Sequence, residues 1–447
     1  MGSAQHFAGY ALAGSPGYDE ELAHVGPGTP CGEMLRRYWQ PVAIADDVGE
    51  LPLGITVLGE KLVLFRMPDG EFGLVHRQCP HRRASLEFGK CEARGIRCAY
   101  HGWLFAPDGE ILETPGEAPD AKPAIEVRAR TRLGAYPLHA YGGLIFAYMG
   151  PPDEMPPFPE YDATYVPDIT TRTYQINYSC NWLQVLDAIM DPVHTSFLHS
   201  SISGAQFSEG LAEIGELDFF ERGIQYLGSN TRRVGDHVWV RVNEVVLPNF
   251  TQAGSAFQAD GTRAHYFGRS SFTRWVVPID DTSSMSLAWA NFGQRGDPHE
   301  YNTQEGCELI EQGELVDRPW EERQRHPADA EAVEGMGPIS EHKGENLMPT
   351  DRGVAVYRRG LRRLIRNIQE GNQAPQPGQI AAKPVRTYGQ DTVLKLPLRN
   401  SEADRKFIKR VGREVMKMQF GAEEMELEAR DAHIIAKLQE MEAAGFQ

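Results

Sequence analysis

CPHRRASLEFGKCEARGIRCAYHGW, residues 79–103, places three cysteines and two histidines in one short span. Two loops share a composition: Cys79-Pro-His81 and, 16 residues further on, Cys98-Ala-Tyr-His101. Structural zinc sites usually group two cysteines in one knuckle and two histidines in another. A loop that offers one thiolate and one imidazole suits a sulfide-bridged pair of irons, with both cysteines on one iron and both histidines on the other. The competing reading is a Cys₂His₂ zinc site, or hairpins whose cysteines are merely buried. Cys91, between the loops, has no position in either arrangement.

The flanks say what carries these loops. Residues 55–76 alternate apolar and polar around a Pro-Asp-Gly turn, and a second such turn interrupts residues 103–115. The region around the loops therefore reads as a small antiparallel β domain, residues 40–155, preceded by an N-terminal segment, 1–39. The proline-rich stretch at 149–168 can be neither helix nor central strand and marks the boundary. Beyond it, helical text at 181–200 and 351–371 brackets several hairpin-like strands, so 156–371 reads as an α+β domain. Residues 372–398 read as a Pro/Gly-rich connector opening the segment 372–447. Phe407, Ile408, Val411, Val415 and Met418 then fall on one helical face, as do Leu427, Ile434, Ile435, Leu438 and Met441. These helices are expected to pack on their own chain or on a neighbouring subunit.

A chain of 447 residues, 41% hydrophobic and 24% charged, is long enough for two or three globular domains. Its formal net charge of −17 disfavours nucleic acid and anionic membrane surfaces as partners. Six cysteines (Cys31, Cys79, Cys91, Cys98, Cys180 and Cys307) are too few and too scattered for a secreted disulfide framework. No apolar run reaches the ~18 residues of a membrane helix, and the first residues lack the basic start of a signal peptide. A cytoplasmic location is the expectation.

A second constellation lies in DAIMDPVHTSFLH, residues 187–199, which reads D-x₃-D-x₂-H-x₄-H. At about 100° per residue, Asp187, Asp191 and His194 share one face of an ideal helix, while His199 falls about 120° away. Both histidines can grip one ion only where the helix is distorted, and Pro192 supplies a reason for distortion. Two histidines and a carboxylate with open positions form the triad that binds Fe(II) beside dioxygen and substrate. The bland alternative is a helix with two exposed acids and two satisfied histidines.

The run C-x-H-x₁₆-C-x₂-H, together with CNWLQVLDAIMDPVHTSFLHS and RWVVPIDDT, resembles the Rieske non-haem iron oxygenases. The similarity is to the aromatic-acid branch, which includes phthalate dioxygenases and aryl O-demethylases, and it spans about residues 25–370. It implies an α+β chain: an N-terminal all-β Rieske domain, then a helix-grip catalytic domain, a curved antiparallel sheet with helices. It also implies a [2Fe-2S] cluster on Cys79, His81, Cys98 and His101, and a mononuclear Fe(II) on His194 and His199. In the family the third ligand opens a late helix after a Gly-Pro-Ile stretch. Asp351 stands in the matching place here, its alternative role being a helix N-cap, with Glu341 and Glu345 as substitutes. Asp191 matches the aspartate that, in the family, joins the mononuclear site to the Rieske histidine of an adjacent subunit, which implies a homotrimer, open to stacking into a hexamer. Respiratory Rieske proteins carry a serine after His-Gly where this chain has Trp103. One hydroxyl hydrogen bond is thus absent, and a low cluster potential is expected.

The implied reaction is oxygenation of a small aromatic, carboxylate-bearing substrate. Insertion of one oxygen atom, as in oxidative O-demethylation of a methoxylated acid, is favoured by the text at 181–200. Cis-dihydroxylation uses the same metals and differs only in the substrate's pose. Arg232, Arg233, Arg241 and Arg274 lie on the strands expected to line the catalytic domain, where surface solvation is the expected state of each. No dinucleotide fingerprint and no plant-type ferredoxin spacing occurs, so a flavin or ferredoxin-type reductase must supply the electrons. An electron carrier without oxygenase activity is the contrasting reading, and it would need nothing after about residue 165.

Overall fold

The computed structural model describes residues 9, 12–166, 169–203, 209–254, 265–293, 318–377 and 384–446. Cys307 lies outside them. The N-terminal half is all β apart from short helices. Strands Leu53–Val57, Glu60–Arg66, Phe72–His76 and Ala135–Tyr136 form one antiparallel sheet, and Lys90–Glu92, Gly95–Arg97, Leu104–Phe105 and Ile111–Glu113 form another. The Pro-Asp-Gly turns at 68–70 and 107–109 need φ > 0 at Gly70 and Gly109, which glycine alone adopts without strain. Val63, Phe65, Val75, Ile96 and Phe105 bury their side chains in one core with Cys79 and Cys98, so the two metal-type loops rise directly from packed sheet. A third small sheet, Gln40–Ile44, Leu144–Ala147 and Leu138–Tyr141, abuts the second half, where Phe146 meets the Trp275 ring edge-on at 5.2 Å.

The second half is built on a nine-stranded sheet. Its main path runs Ile169–Tyr178, Ser283–Gly293, Phe272–Asp280, Phe250–Ala253, His237–Val246, Gln225–Val234 and Glu216–Arg222, each antiparallel to the next. Helices Trp182–Ile189 and Arg352–Gln369 bury Trp182, Leu186, Tyr357 and Leu361 in the core that includes this sheet.

The alternation of side chains along His237–Val246 divides its two faces. Val238, Val240 and Val242 join the core of the C-terminal helices, Ser401–Gly421 and Leu427–Ala443, whereas Trp239, Arg241 and Asn243 turn the other way. The C-terminal segment thus packs on its own chain. Phe407, Ile408, Val411, Val415, Ile434 and Leu438 are buried there as their spacing requires, and each contributes about 1.5–3 kcal/mol against exposure.

The stretch read as a plain connector is corrected by the structure. It contains the strand Gln390–Lys395, which pairs with His237–Val246 on one side and Gly268–Arg269 on the other. Arg430 closes the arrangement with an ion pair to Asp162 at 2.9 Å, both side chains fully buried.

Candidate active site

The two Cys/His loops are built alike. Cys79 N–H donates to Ala84 O at 2.9 Å while Arg83 N–H returns to Cys79 O at 2.9 Å; Cys98 N–H donates to Trp103 O at 2.8 Å while Gly102 N–H returns to Cys98 O at 3.0 Å. The fifth residue of each six-residue loop is left-handed, Arg83 at φ 65° and Gly102 at φ 73°. Holding a non-glycine residue there costs strain that the hydrogen-bonded loop sustains.

The result is two cysteines at 2% exposure facing one another, and two histidines further out whose rings lie 4.6 Å apart. Burial pushes the Cys79 thiol up to about 11, against backbone N–H groups of His81 and Arg82 that favour the thiolate. Trp103 stacks on His81 with centroids 4.6 Å apart and planes within 4°. A pair of buried sulfurs, backed by N–H donors, beneath a pair of outer imidazoles fits an iron-sulfide cluster with mixed ligands. Cys91 is a free, partly buried cysteine packed against the core that holds Cys79 and Cys98.

The second centre depends on a broken helix. The helix Trp182–Ile189 stops before Asp191-Pro192, one turn resumes at His194–Ser196, and Phe197–Ile202 is a π-helix. In an i→i+5 turn, residues five apart return over one another, which an α-turn does not allow. His194 and His199 consequently meet with ring centroids 5.2 Å apart. The distortion expected from Pro192 is present, and the π-turn completes it.

The break also separates Asp187 from the site. Instead of sharing a face with His194, Asp187 binds the guanidinium of Arg358 and the hydroxyl of Tyr357, with Glu345 also on Arg358. Asp191 turns inward on its own backbone: Oδ1 accepts from Val193 N at 2.9 Å and His194 N at 3.4 Å. Its carbonyl oxygen lies 2.5 Å from His194 Nδ1, which places the proton on Nδ1 and leaves Nε2 to face the centre.

The carboxylate that stands beside the histidines is not the expected one. Asp351 lies away from the histidines, with its Oδ2 accepting Met348 N–H at 2.6 Å as a local turn cap. Glu341 is exposed and Glu345 belongs to the Arg358 network. Among the described residues, Asp329 stands with the histidines: its Oδ1 is 3.3 Å from His199 Nε2 and 3.6 Å from His194 Nε2. It is the first residue of the short helix Asp329–Glu334. Like the expected Asp351 it opens a helix, but one that precedes the Gly337-Pro338-Ile339 stretch instead of following it. The resemblance placed the ligand after the Gly-Pro-Ile stretch, at the long helix, and a six-residue helix leaves almost no periodic signal to point elsewhere.

Burial opposes the charge on Asp329, yet His199 and His194 outweigh it and hold this carboxyl well below the usual range. His194 is lowered by burial, against the raising effect of the Asp329 carboxylate. Two imidazole Nε2 atoms and one carboxylate, converging from one side on a cavity, fit a metal ion with open positions.

That cavity is lined by Ile189, Leu211, Phe272, Arg241, Asn243 and Arg274 as well as the three converging residues. Surface solvation is therefore corrected for all four strand arginines. Arg232 and Arg274 are 1% and 3% exposed, and Arg241 lines the cavity. Arg233 is held by Asp404 of the C-terminal helices at 2.6 Å. Arg232 donates through Nε to Glu213 O at 2.8 Å and through Nη2 to Thr195 Oγ1 at 2.9 Å, next to His194. Arg241 Nη2 donates to Gly254 O at 3.1 Å, while its Nε and Nη1 are buried with no hydrogen-bond acceptor among the described residues.

Comparison with known proteins agrees with this geometry. The Rieske [2Fe-2S] domain family matches residues 38–137, and the LigXa C-terminal domain-like family matches residues 147–214. The chain is 36% identical to the tert-butanol monooxygenase / tert-amyl alcohol desaturase oxygenase subunit of Aquincola tertiaricarbonis, over 95% of this chain and 93% of the relative. It is 36% identical to the phenoxybenzoate dioxygenase subunit alpha of Ectopseudomonas oleovorans (82% and 90% covered) and 32% identical to the 5,5'-dehydrodivanillate O-demethylase oxygenase subunit of a Sphingobium strain (84% and 87%). Among solved structures, dicamba monooxygenase bound to dicamba superposes with TM-score 0.57 at 19% identity, covering 75% of this chain and 99% of that one.

The chain belongs to the Rieske non-haem iron oxygenases, in the branch that includes the phthalate dioxygenase and aryl O-demethylase oxygenase subunits. Its cofactors are a Rieske [2Fe-2S] cluster and a mononuclear iron. Among the described residues no helix is long and apolar enough to cross a membrane.

Proposed function

We propose that this oxygenase component acts on a small carboxylate-bearing substrate, in the first place an aromatic acid, with monooxygenation such as O-demethylation as the reaction. The observation that carries the reading is the charge of the cavity. Arg241 and Arg274 bring two guanidiniums to its walls, against the single carboxylate of Asp329, and Arg232 lines the small pocket beside it. A buried site with surplus positive charge and open N–H donors on Arg241 is completed by an anion, and a carboxylate matches the guanidinium fork. Ile189, Leu211 and Phe272 supply the apolar wall that a ring would meet.

In this reading Cys79, Cys98, His81 and His101 hold the cluster, and His194, His199 and Asp329 hold the iron. When bound, the two centres supply stored electrons and dioxygen activation. The protein's own share is placement. Arg241 and Arg274 fix the acid end, the apolar wall orients the ring, and Asp191 fixes the His194 tautomer. Asp191 is also the residue through which electrons would arrive from a Rieske histidine of a neighbouring subunit, within a homotrimer fed by a separate reductase.

A second reading has its own support. The similarity to the tert-butanol monooxygenase subunit covers 95% of the chain. Hydroxylation of a branched aliphatic alcohol would use the same iron and leave the arginines to hydrogen-bond a neutral oxygen. Oxygen consumption with a competent reductase separates the readings: the first expects turnover of methoxybenzoates with release of formaldehyde. Turnover of tert-butanol with none of the acids would replace it, and a cis-diol product would move the reaction to dihydroxylation.

A further inference from the structure

The C-terminal strand Gln390–Lys395 carries one acidic residue, and it enters the catalytic half fully buried. Asp391 lies directly across from Arg241 in the pairing with His237–Val246, so the two side chains stand on the same face of the sheet. Its Oδ1 accepts Trp239 Nε1–H at 2.6 Å. Its Oδ2 is buried with no donor among the described residues. Trp239 in turn underlies both guanidiniums, with Arg232 at 5.0 Å and Arg241 at 5.9 Å from its ring.

The packing leaves little freedom. A Cβ added at Gly254 would stand 2.5 Å from Asp391 Oδ2, and the carbonyl of that same glycine accepts from Arg241 Nη2 at 3.1 Å. Asp391, Trp239, Gly254 and Arg241 therefore form one closed unit behind the cavity. Two buried guanidiniums over one indole repel each other, and Asp391 is the carboxylate placed to offset that repulsion without reaching the cavity itself. Burial pushes Asp391 up to about 7, with Arg241 and then the Trp239 hydrogen bond and Arg232 opposing it.

We propose that Asp391 is the positioning residue for the substrate-anchoring Arg241: its charge and its tie to Trp239 hold the guanidinium of Arg241 at the wall of the iron cavity, with Nε and Nη1 left for the substrate. The proposal rests on the acidic-substrate reading above and deepens it. The C-terminal segment then acts as more than a structural extension, because it contributes the counter-charge that lets the arginine serve as a carboxylate anchor.

The test compares 4-methoxybenzoate with its neutral amide, 4-methoxybenzamide, as probes on the full-length holoprotein at pH 8, where Asp391 is mostly ionised. Binding is measured by calorimetry, and KM and kcat are measured separately where turnover occurs. Asp391→Asn keeps an oxygen for Trp239 and removes the charge. The expected result is a fall of about tenfold or more in the preference for acid over amide, seen in KM rather than kcat. Trp239→Phe keeps the aromatic face and drops the N–H, and it should move the same ratio in the same direction by less; this variant carries the test if Asp391→Asn does not fold. Wild-type protein that binds acid and amide alike overturns the acidic-substrate reading, and this proposal with it. Wild-type preference for the acid that persists unchanged in the folded variants overturns the role of Asp391 alone.

Discussion

Replacing Asp329 by alanine removes the carboxylate that stands 3.3 Å from His199 Nε2 and 3.6 Å from His194 Nε2, and leaves both imidazoles in place. Partners one shell outside a metal are worth roughly 10–100-fold in affinity, so a direct ligand is worth at least about 100-fold, close to 2.7 kcal/mol. At a ferrous concentration about ten times the wild-type dissociation constant, the wild-type site is about nine-tenths filled and the variant site less than about one-tenth. Iron per chain, measured after anaerobic loading and desalting, then falls from about three to about two, while the visible absorption of the Rieske cluster is unchanged. Asp351→Ala is the matched control: Asp351 Oδ2 only caps Met348 N–H, so this variant keeps about three irons. Three irons retained in Asp329→Ala, or two in Asp351→Ala, would refute the assignment.

The remaining expectations test other parts of the molecule. Asp191→Asn preserves an oxygen for the N–H groups of Val193 and His194 and removes the charge; it should retain both metals yet nearly abolish turnover under saturating reductase, and normal turnover would remove the intersubunit role. Burial raises Glu244 to about 8, so between an unfolded value near 4.5 and 8 the folded chain keeps a proton that the unfolded chain releases, and stability falls as pH rises through that window. Glu244→Gln should flatten this slope in urea titrations at pH 5 and pH 8; an unchanged slope would show that Glu244 does not set it. Arg430→Ala leaves Asp162 buried with Arg269 at 3.0 Å as partial compensation, so the loss should lie near the lower end of the roughly 3–5 kcal/mol for breaking a buried pair, read from denaturant unfolding. A redox titration should place the cluster below the strongly positive respiratory range, since Trp103 stacks on His81 and brings no hydroxyl to that position.

The cluster loops were legible in the chain because their donors are local: each Cys/His pair lies within one six-residue turn whose backbone hydrogen bonds fix it. The histidine pair was legible for the same reason, Pro192 marking the break that lets His194 and His199 meet. The third carboxylate was not, because a ligand contributed from more than 100 residues away has no spacing to read. Asp329 and Asp351 look alike in sequence, and only the docking of the short Asp329–Glu334 helix against the π-turn distinguishes them. The same holds for Arg241 and Asp391, which sit 150 residues apart in the chain and become neighbours only through strand register. Sequence by itself determined which metals this protein can hold and the class of chemistry they support, since covalent donors and local turns encode them. Tertiary structure decided which acid stands with the two histidines and what charge lines the cavity beside them, because long-range pairing of strands and helices brings those groups together.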